Sequence, residues 1–145
     1  MSIAQALRGH ARVAVDTAPL IHFLGGDAPR DAVAEELLSH AASGRLELVA
    51  SVVTEAELLV GALRSGHASV VGQLFDGPVL EVVPVSRPVA RRAAQLRAEH
   101  RLRMVDAIVA ATALEHGCTA LVGNDRSFRR LEGALTYLHE DDLIA

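Results

Sequence analysis

The sequence predicts an α/β fold with a mainly parallel sheet. Apolar runs of strand length, such as LELVA at 46–50 and TALVG at 119–123, alternate with longer segments of helical period. That is the pattern of strands joined by helical crossovers. The 145 residues carry no repeat, no low-complexity tract and no charge block. They fit one domain, residues 1–145, large enough to bury a core. Half of the residues are hydrophobic while aromatics are 3%, so the core must be built mainly from Ala, Val and Leu.

The first strand is expected over Arg12 to Asp16. Thr17 can cap a short helix with Pro19 in its first turn, and Gly25-Gly26-Asp27 breaks it. A second helix runs from Pro29 to Ala42, with Val33, Leu37 and Leu38 on one face, and Gly44 ends it. A strand over Leu46 to Ala50 leads into the helix SVVTEAELLVGAL, whose cap is either Ser51 or Thr54. Gly66 and Gly72 point to a broken helix after it. The next strand is Val79 to Val83, and Ser86 then caps a helix with Pro88 in its first turn. MVDAIVAATALEHG is the clearest helix, closed by Gly117 in the role of a C′ glycine. Thr119 to Gly123 forms a short strand, followed at once by Asn124-Asp125. A last strand near Leu135 to Leu138 precedes an acidic tail, His139 to Asp142.

Composition closes several function classes. No apolar run reaches the roughly 18 residues of a membrane span. The first dozen residues hold Gln5, Arg8, His10 and Arg12 without a long apolar block, so no secretory signal is expected. The single cysteine, Cys118, cannot form an internal disulfide, which suggests a reducing, cytoplasmic setting. Net charge is −4, which argues against a generally basic nucleic-acid binder but leaves room for a local basic face. All 14 basic residues are arginine. Without lysine there is neither a phosphate-binding P-loop nor Schiff-base chemistry. The seven histidines are scattered without zinc-site spacing.

Four acids stand where a parallel α/β sheet places its ligands, beyond the carboxyl ends of the strands. Asp16 closes the first strand, and Asp125 stands just past ALVG. Glu57 lies in the opening turns of the helix after LELVA, and Asp106 opens its own helix among apolar neighbours. Each has an ordinary reading. Asp16 can begin a turn or cap the next helix, and Asp125 in Asn-Asp-Arg can be a turn residue. Thr54 with Glu57 has capping-box spacing. Asp106 suits a helix dipole, although a buried unpaired carboxylate is costly. Taken together, converging carboxylates repel, so either a proton or a cation must join them. Oxygen ligands suit Mg²⁺ or Mn²⁺, and such an ion supports attack of water on a phosphodiester.

The chain resembles the PIN-domain ribonucleases, and among them the VapC-type toxins of toxin–antitoxin pairs. VAVDTAPLI carries Asp16; SVVTEAELLVGAL carries Glu57, selected over Glu55 by the following Leu58 and Gly61; RMVDAIVAATALEHG carries Asp106; LVGNDRSFRRL carries Asp125. The resemblance implies a PIN-like three-layer α/β/α fold with about five strands and a Mg²⁺- or Mn²⁺-dependent endoribonuclease. It implies that Asp16, Glu57, Asp106 and Asp125 form the metal site. It also implies RNA as substrate, a homodimer, and a cognate antitoxin over the active groove. Two positions depart from it: Gly123 stands where relatives often have a hydroxyl residue, and His22 where they often have tyrosine.

An acidic site needs basic surroundings to hold a polyanion. Arg87, Arg91, Arg92, Arg97, Arg101 and Arg103 precede Asp106, and Arg126, Arg129 and Arg130 follow Asp125. Of these, Arg91, Arg92, Arg103 and Arg126 are the candidates for RNA contact, since the guanidinium fork bonds two phosphate oxygens at once. Two rivals remain. A phosphatase with an aspartyl nucleophile would want a second acid two residues after Asp16, where Ala18 stands. A PIN-like module that binds RNA or a partner without cutting keeps the fold but not the chemistry.

Overall fold

The computed structural model describes residues 1–144. Strands β1 (Arg12–Val15), β2 (Glu47–Ser51), β3 (Leu80–Val83), β4 (Ala120–Gly123) and β5 (Thr136–His139) form one sheet in the order β3-β2-β1-β4-β5. Every pairing in it is parallel. The helices are α1 (Ile3–Ala6), α2 (Thr17–Gly25), α3 (Asp31–Ala42), α4 (Val52–Ser65), α5 (Ala68–Asp76), α6 (Arg87–His100) and α7 (Met104–Glu115). They cover both faces of the sheet, giving three layers.

The three inner strands, β2, β1 and β4, are largely apolar because each feeds two cores. Val13, Val15, Leu48, Ala50, Ala120 and Val122 pack under α2 to α5, against Leu20, Leu37, Leu58 and Phe75. Ala14, Val49 and Leu121 point the other way, toward Val89, Ala93, Ala110 and Phe128. Ala107, Ala110, Ala111 and Ala113 of α7 are fully buried. Their small side chains let α7 lie close to both α6 and the sheet.

Several boundaries differ from the sequence reading, each for a local reason. Helix α1 was not anticipated; Ser2 and Gln5 form a capping box at its start, with Ser2 Oγ accepting from the Gln5 amide at 3.2 Å. Of the two residues open as cap of α2, Asp16 takes the position rather than Thr17, and its side chain makes no capping bond. Helix α3 begins at Asp31, not Pro29, because Pro29 stands in a turn and offers its carbonyl to Ala32. Ser51 caps α4 by accepting from the Val53 amide at 3.1 Å, which decides between the two expected caps. Gly66, at φ 76°, makes the expected break between α4 and α5, and Gly72 lies within α5. Strand β3 starts one residue late and β5 is shifted one residue on. The acidic tail is not a tail: Glu140–Leu143 is a 3-10 turn and Glu140 is fully buried.

At the amino end of the sheet, Arg12 ties three strands together. Its guanidinium meets Glu47 of β2 at 2.8 Å and Glu81 of β3 at 2.6 Å, and its Nε donates to the His116 carbonyl. The bond to Glu81 is the chief reason the arginine holds its proton more firmly than usual, against a smaller cost of burial. Solvent-screened pairs contribute little, so Arg12→Ala should cost about 1 kcal/mol, mostly through the lost carbonyl bond. A lower urea midpoint at unchanged slope would show it.

Candidate active site

The chain leaves β1 on one side to build β2 and β3, then crosses back to lay β4 on the other side. Strand order therefore reverses between β1 and β4, and the crevice beyond their carboxyl ends is where such sheets bind ligands. Asp16 stands at the end of β1, its amide donating to the Val122 carbonyl of β4 at 2.9 Å. Asp125 stands two residues past β4. Helices α4 and α7 bring Glu57 and Asp106 toward the same crevice.

Two of the four acids, Asp16 and Glu57, are released from ordinary duties. Asp16 occupies a cap position but makes no side-chain cap bond. Glu57 forms no capping box, since Ser51 caps the helix and Thr54 is buried within it. Glu57 Oε1 instead accepts the Thr17 hydroxyl at 2.6 Å, a bond from the turn just after Asp16. Asp106, 6% exposed, is met by Arg103 Nε at 3.2 Å. Asp125 does serve its turn, accepting from the Ser127 amide at 2.9 Å, and Arg103 Nη2 also reaches it at 3.5 Å.

The four carboxylates share one electrostatic field. Burial pushes Asp16 up to about 7, against a bond from the Thr17 amide, and the charges of Asp106, Glu57 and Asp125 add to the rise. Burial likewise raises Asp106, opposed by Arg103 and reinforced by Asp125 and Glu57. At Asp125 burial also acts upward. The Ser127 bonds together with Arg103 and Arg130 outweigh it and hold this acid below the usual carboxylate range. Among the described residues, no three His, Cys, Asp or Glu side chains stand as a ready-made ligand set. Arg103 supplies positive charge to two of the acids, and the raised pKa of Asp16 favours a proton there. A hard cation fits this set by charge and donor type, and Asp16, Glu57, Asp106 and Asp125 are the residues that could hold it.

Two further features escaped sequence reasoning. A Cβ on Gly123 would lie 3.2 Å from the Tyr137 hydroxyl and 3.4 Å from Asp16 Cβ. Tyr137 thus fills the room a larger residue would need, and its buried hydroxyl has no hydrogen-bond partner. Asn124 Nδ2 donates to Glu140 Oε1 at 2.7 Å, and His22 Nδ1 donates to the same oxygen at 2.7 Å. Glu140 therefore braces the turn carrying Asp125. Nothing local distinguishes it from Asp141 and Asp142, so no sequence signal could have found it. Tyr137 carried no sequence signal either, since its register opposite Leu121 exists only once β5 pairs with β4.

The arginine candidates divide. Arg103 lies on the acids, and Arg126 is exposed immediately after Asp125. Arg92 pairs with Glu115 at 3.4 Å, at the far end of α7. At 1.5 Å per residue that is about 13 Å along the helix from Asp106. Arg91, its exposed neighbour, is carried to that end too. The structure brings neither to the acids, because α6 and α7 run antiparallel.

The chain is similar in structure to a toxin–antitoxin complex from Klebsiella pneumoniae, at TM-score 0.71 and 22% identity over 88% of this chain and 97% of that one. It is similar to VapC20 of Mycobacterium tuberculosis, a sarcin–ricin loop cleaving toxin, at TM-score 0.66 and 19% identity over 83% and 95%. VapBC-5 from the same organism matches at TM-score 0.59 and 26% identity over 89% and 97%. No curated protein sequence matches. A family model described as PIN domain matches residues 13–134. That span runs from the first strand to the turn before the last and contains the whole switch point, so the chain belongs to the PIN-domain family.

Proposed function

We propose that this protein is a Mg²⁺- or Mn²⁺-dependent endoribonuclease acting as the toxin of a toxin–antitoxin pair, with residues 1–145 working as one domain. The observation that carries the reading is the gathering of four acids at the switch point, with Asp16 pushed to about 7. Converging carboxylates need a proton or a cation, and their oxygen donors support the reading of a cation site. Bound by these acids, a divalent ion supplies a Lewis acid that activates water at neutral pH and offsets charge on the phosphodiester. Thr17 holds Glu57 in orientation through its hydroxyl. Glu140 and Asn124 fix the turn bearing Asp125. Arg126, beside the acids, meets the RNA backbone.

RNA recognition rests on backbone charge and shape rather than base stacking. Phe75 and Phe128 are buried, and Phe23 and Tyr137 half-buried. Arg92→Gln should leave RNA affinity within about twofold of wild type, since a distant contact adds little. A fluorescence-anisotropy titration checks this. Relatives are solved as toxin–antitoxin complexes, and the antitoxin of this chain is assigned to an apolar groove of about 460 Å³ between α2, α4 and α5 that reaches Glu57. A homodimer and a cytoplasmic setting complete the reading. Burial raises the lone Cys118 thiol to about 11, which keeps it unreactive, and no described helix is long and apolar enough to cross a membrane.

One observation favours a second reading, a module that binds RNA without cutting it. No ready ligand set exists among the described residues. The deciding experiment incubates the purified chain with structured RNA, with and without Mn²⁺, and maps the ends. Mn²⁺-dependent cuts at defined positions support the nuclease. Retention of intact RNA under both conditions supports the binding module.

A further inference from the structure

Arg103 touches two of the four acids, yet 80% of its side chain is exposed. Its contacts, 3.2 Å to Asp106 and 3.5 Å to Asp125, are longer than the about 2.7–2.9 Å of a tight charge-assisted bond. The backbone beneath it is firmly held. Arg97 Nη1 donates to the Leu102 carbonyl at 2.8 Å, and Arg130 Nη1 to the Arg101 carbonyl at 3.1 Å. Arg101 itself adopts φ 57°, a left-handed conformation that disfavours a residue with a side chain. Two arginines are thus spent on carbonyls to stiffen the turn, and a third extends from it, loosely, over the acids.

We propose that Arg103 serves the site in two positions. In the metal-free protein it is the counter-ion of Asp106 and Asp125. When a divalent cation takes those oxygens, Arg103 is released to hold a phosphate of the bound RNA. This rests on the reading of the acids as a cation site. Two cations drawn to the same carboxylates compete. The divalent ion carries twice the charge and approaches the oxygens more closely than a guanidinium does, so it wins. The displaced side chain needs no backbone movement to stay at the mouth of the crevice, because its turn is braced. Its planar fork matches phosphate geometry. The exchange also keeps local charge balanced: RNA brings negative charge as the metal brings positive, and Arg103 moves from one partner to the other.

A purely structural Arg103 makes the opposite forecast, since its loss would let the acids splay and weaken metal binding. The full chain, Arg103→Gln and Arg103→Lys are titrated with Mn²⁺ alone by calorimetry, after thermal melts establish that each variant folds. Losing a bond to a charged group should tighten Mn²⁺ binding about tenfold in Arg103→Gln, with Arg103→Lys between it and wild type. With saturating Mn²⁺, the KM for an RNA hairpin should rise about tenfold in Arg103→Gln. Unchanged or weaker Mn²⁺ binding in Arg103→Gln, with wild type still binding, overturns the exchange alone. An unchanged KM overturns the phosphate role. Absence of Mn²⁺ binding in wild type and variant alike overturns the cation-site reading as well.

Discussion

Asp16→Asn is expected to abolish Mn²⁺-dependent RNA cleavage and, in the metal-free protein at about pH 8, to raise stability rather than lower it. The first effect follows from removing one charged ligand with little change of shape. A loss of at least about a thousandfold in rate, about 4 kcal/mol of barrier, is the scale for weakening a catalytic cation. The second follows from burial. The carboxyl is only 8% exposed and is held at about 7. Below about pH 4 it is protonated in both folded and unfolded chains and costs nothing. As pH rises toward 7 the unfolded chain releases the proton while the folded chain keeps it, so stability falls. Above that range the full cost, about 4 kcal/mol, is present. Asparagine carries no such charge, so the variant should show a flatter stability profile between about pH 4 and pH 8. Urea melts across that range, with and without Mn²⁺, read it directly. A variant less stable than wild type at the alkaline end would contradict the account of Asp16 as a buried, strained carboxylate. Stability given up at a site for the sake of its chemistry is a common pattern.

Glu140→Ala should cost about 3–6 kcal/mol, because it removes two hydrogen bonds to a buried carboxylate, each worth about 1.5–3 kcal/mol. Glu140 is fully buried, and Oε1 accepts from both His22 and Asn124. Alanine leaves two half-buried donors, on His22 and Asn124, without their acceptor. Glu140→Gln retains an oxygen for those donors. The atom it alters, Oε2, has no partner to lose, so its cost should stay within about 1 kcal/mol. The contrast separates the acceptor from the charge. Cleavage should fall in Glu140→Ala even where the protein is fully folded, because Asn124 precedes Asp125 and loses its anchor. Equilibrium urea denaturation of the pair, followed by cleavage at a temperature well below both midpoints, tests each part.

The alternation of strands and helices, the Ser86 cap with Pro88, the Gly66 break and the end of α7 at Gly117 were all legible, because each depends on residues within a few positions. So was the place of each acid on its own element. The failures share a cause. Thr17 looks like a cap from its neighbours, but its hydroxyl is taken by Glu57, 40 residues away in the chain. Glu140, Asp141 and Asp142 look alike, and only the return of β5 beside β4 buries the first of them. Arg92 and Arg103 share one basic segment, and the reversal between α6 and α7 carries them to opposite ends of the hairpin.

By itself the sequence determined the periodicities, the Ser86 cap and four acids at the edges of their elements, since those follow from local sterics and hydrogen bonding. The tertiary structure alone decided which of these groups meet. Sheet order is set by burying apolar surface on two faces at once, a condition on the whole chain. That condition lays β4 beside β1, brings Asp125 toward Asp16, and turns separate carboxylates into one field.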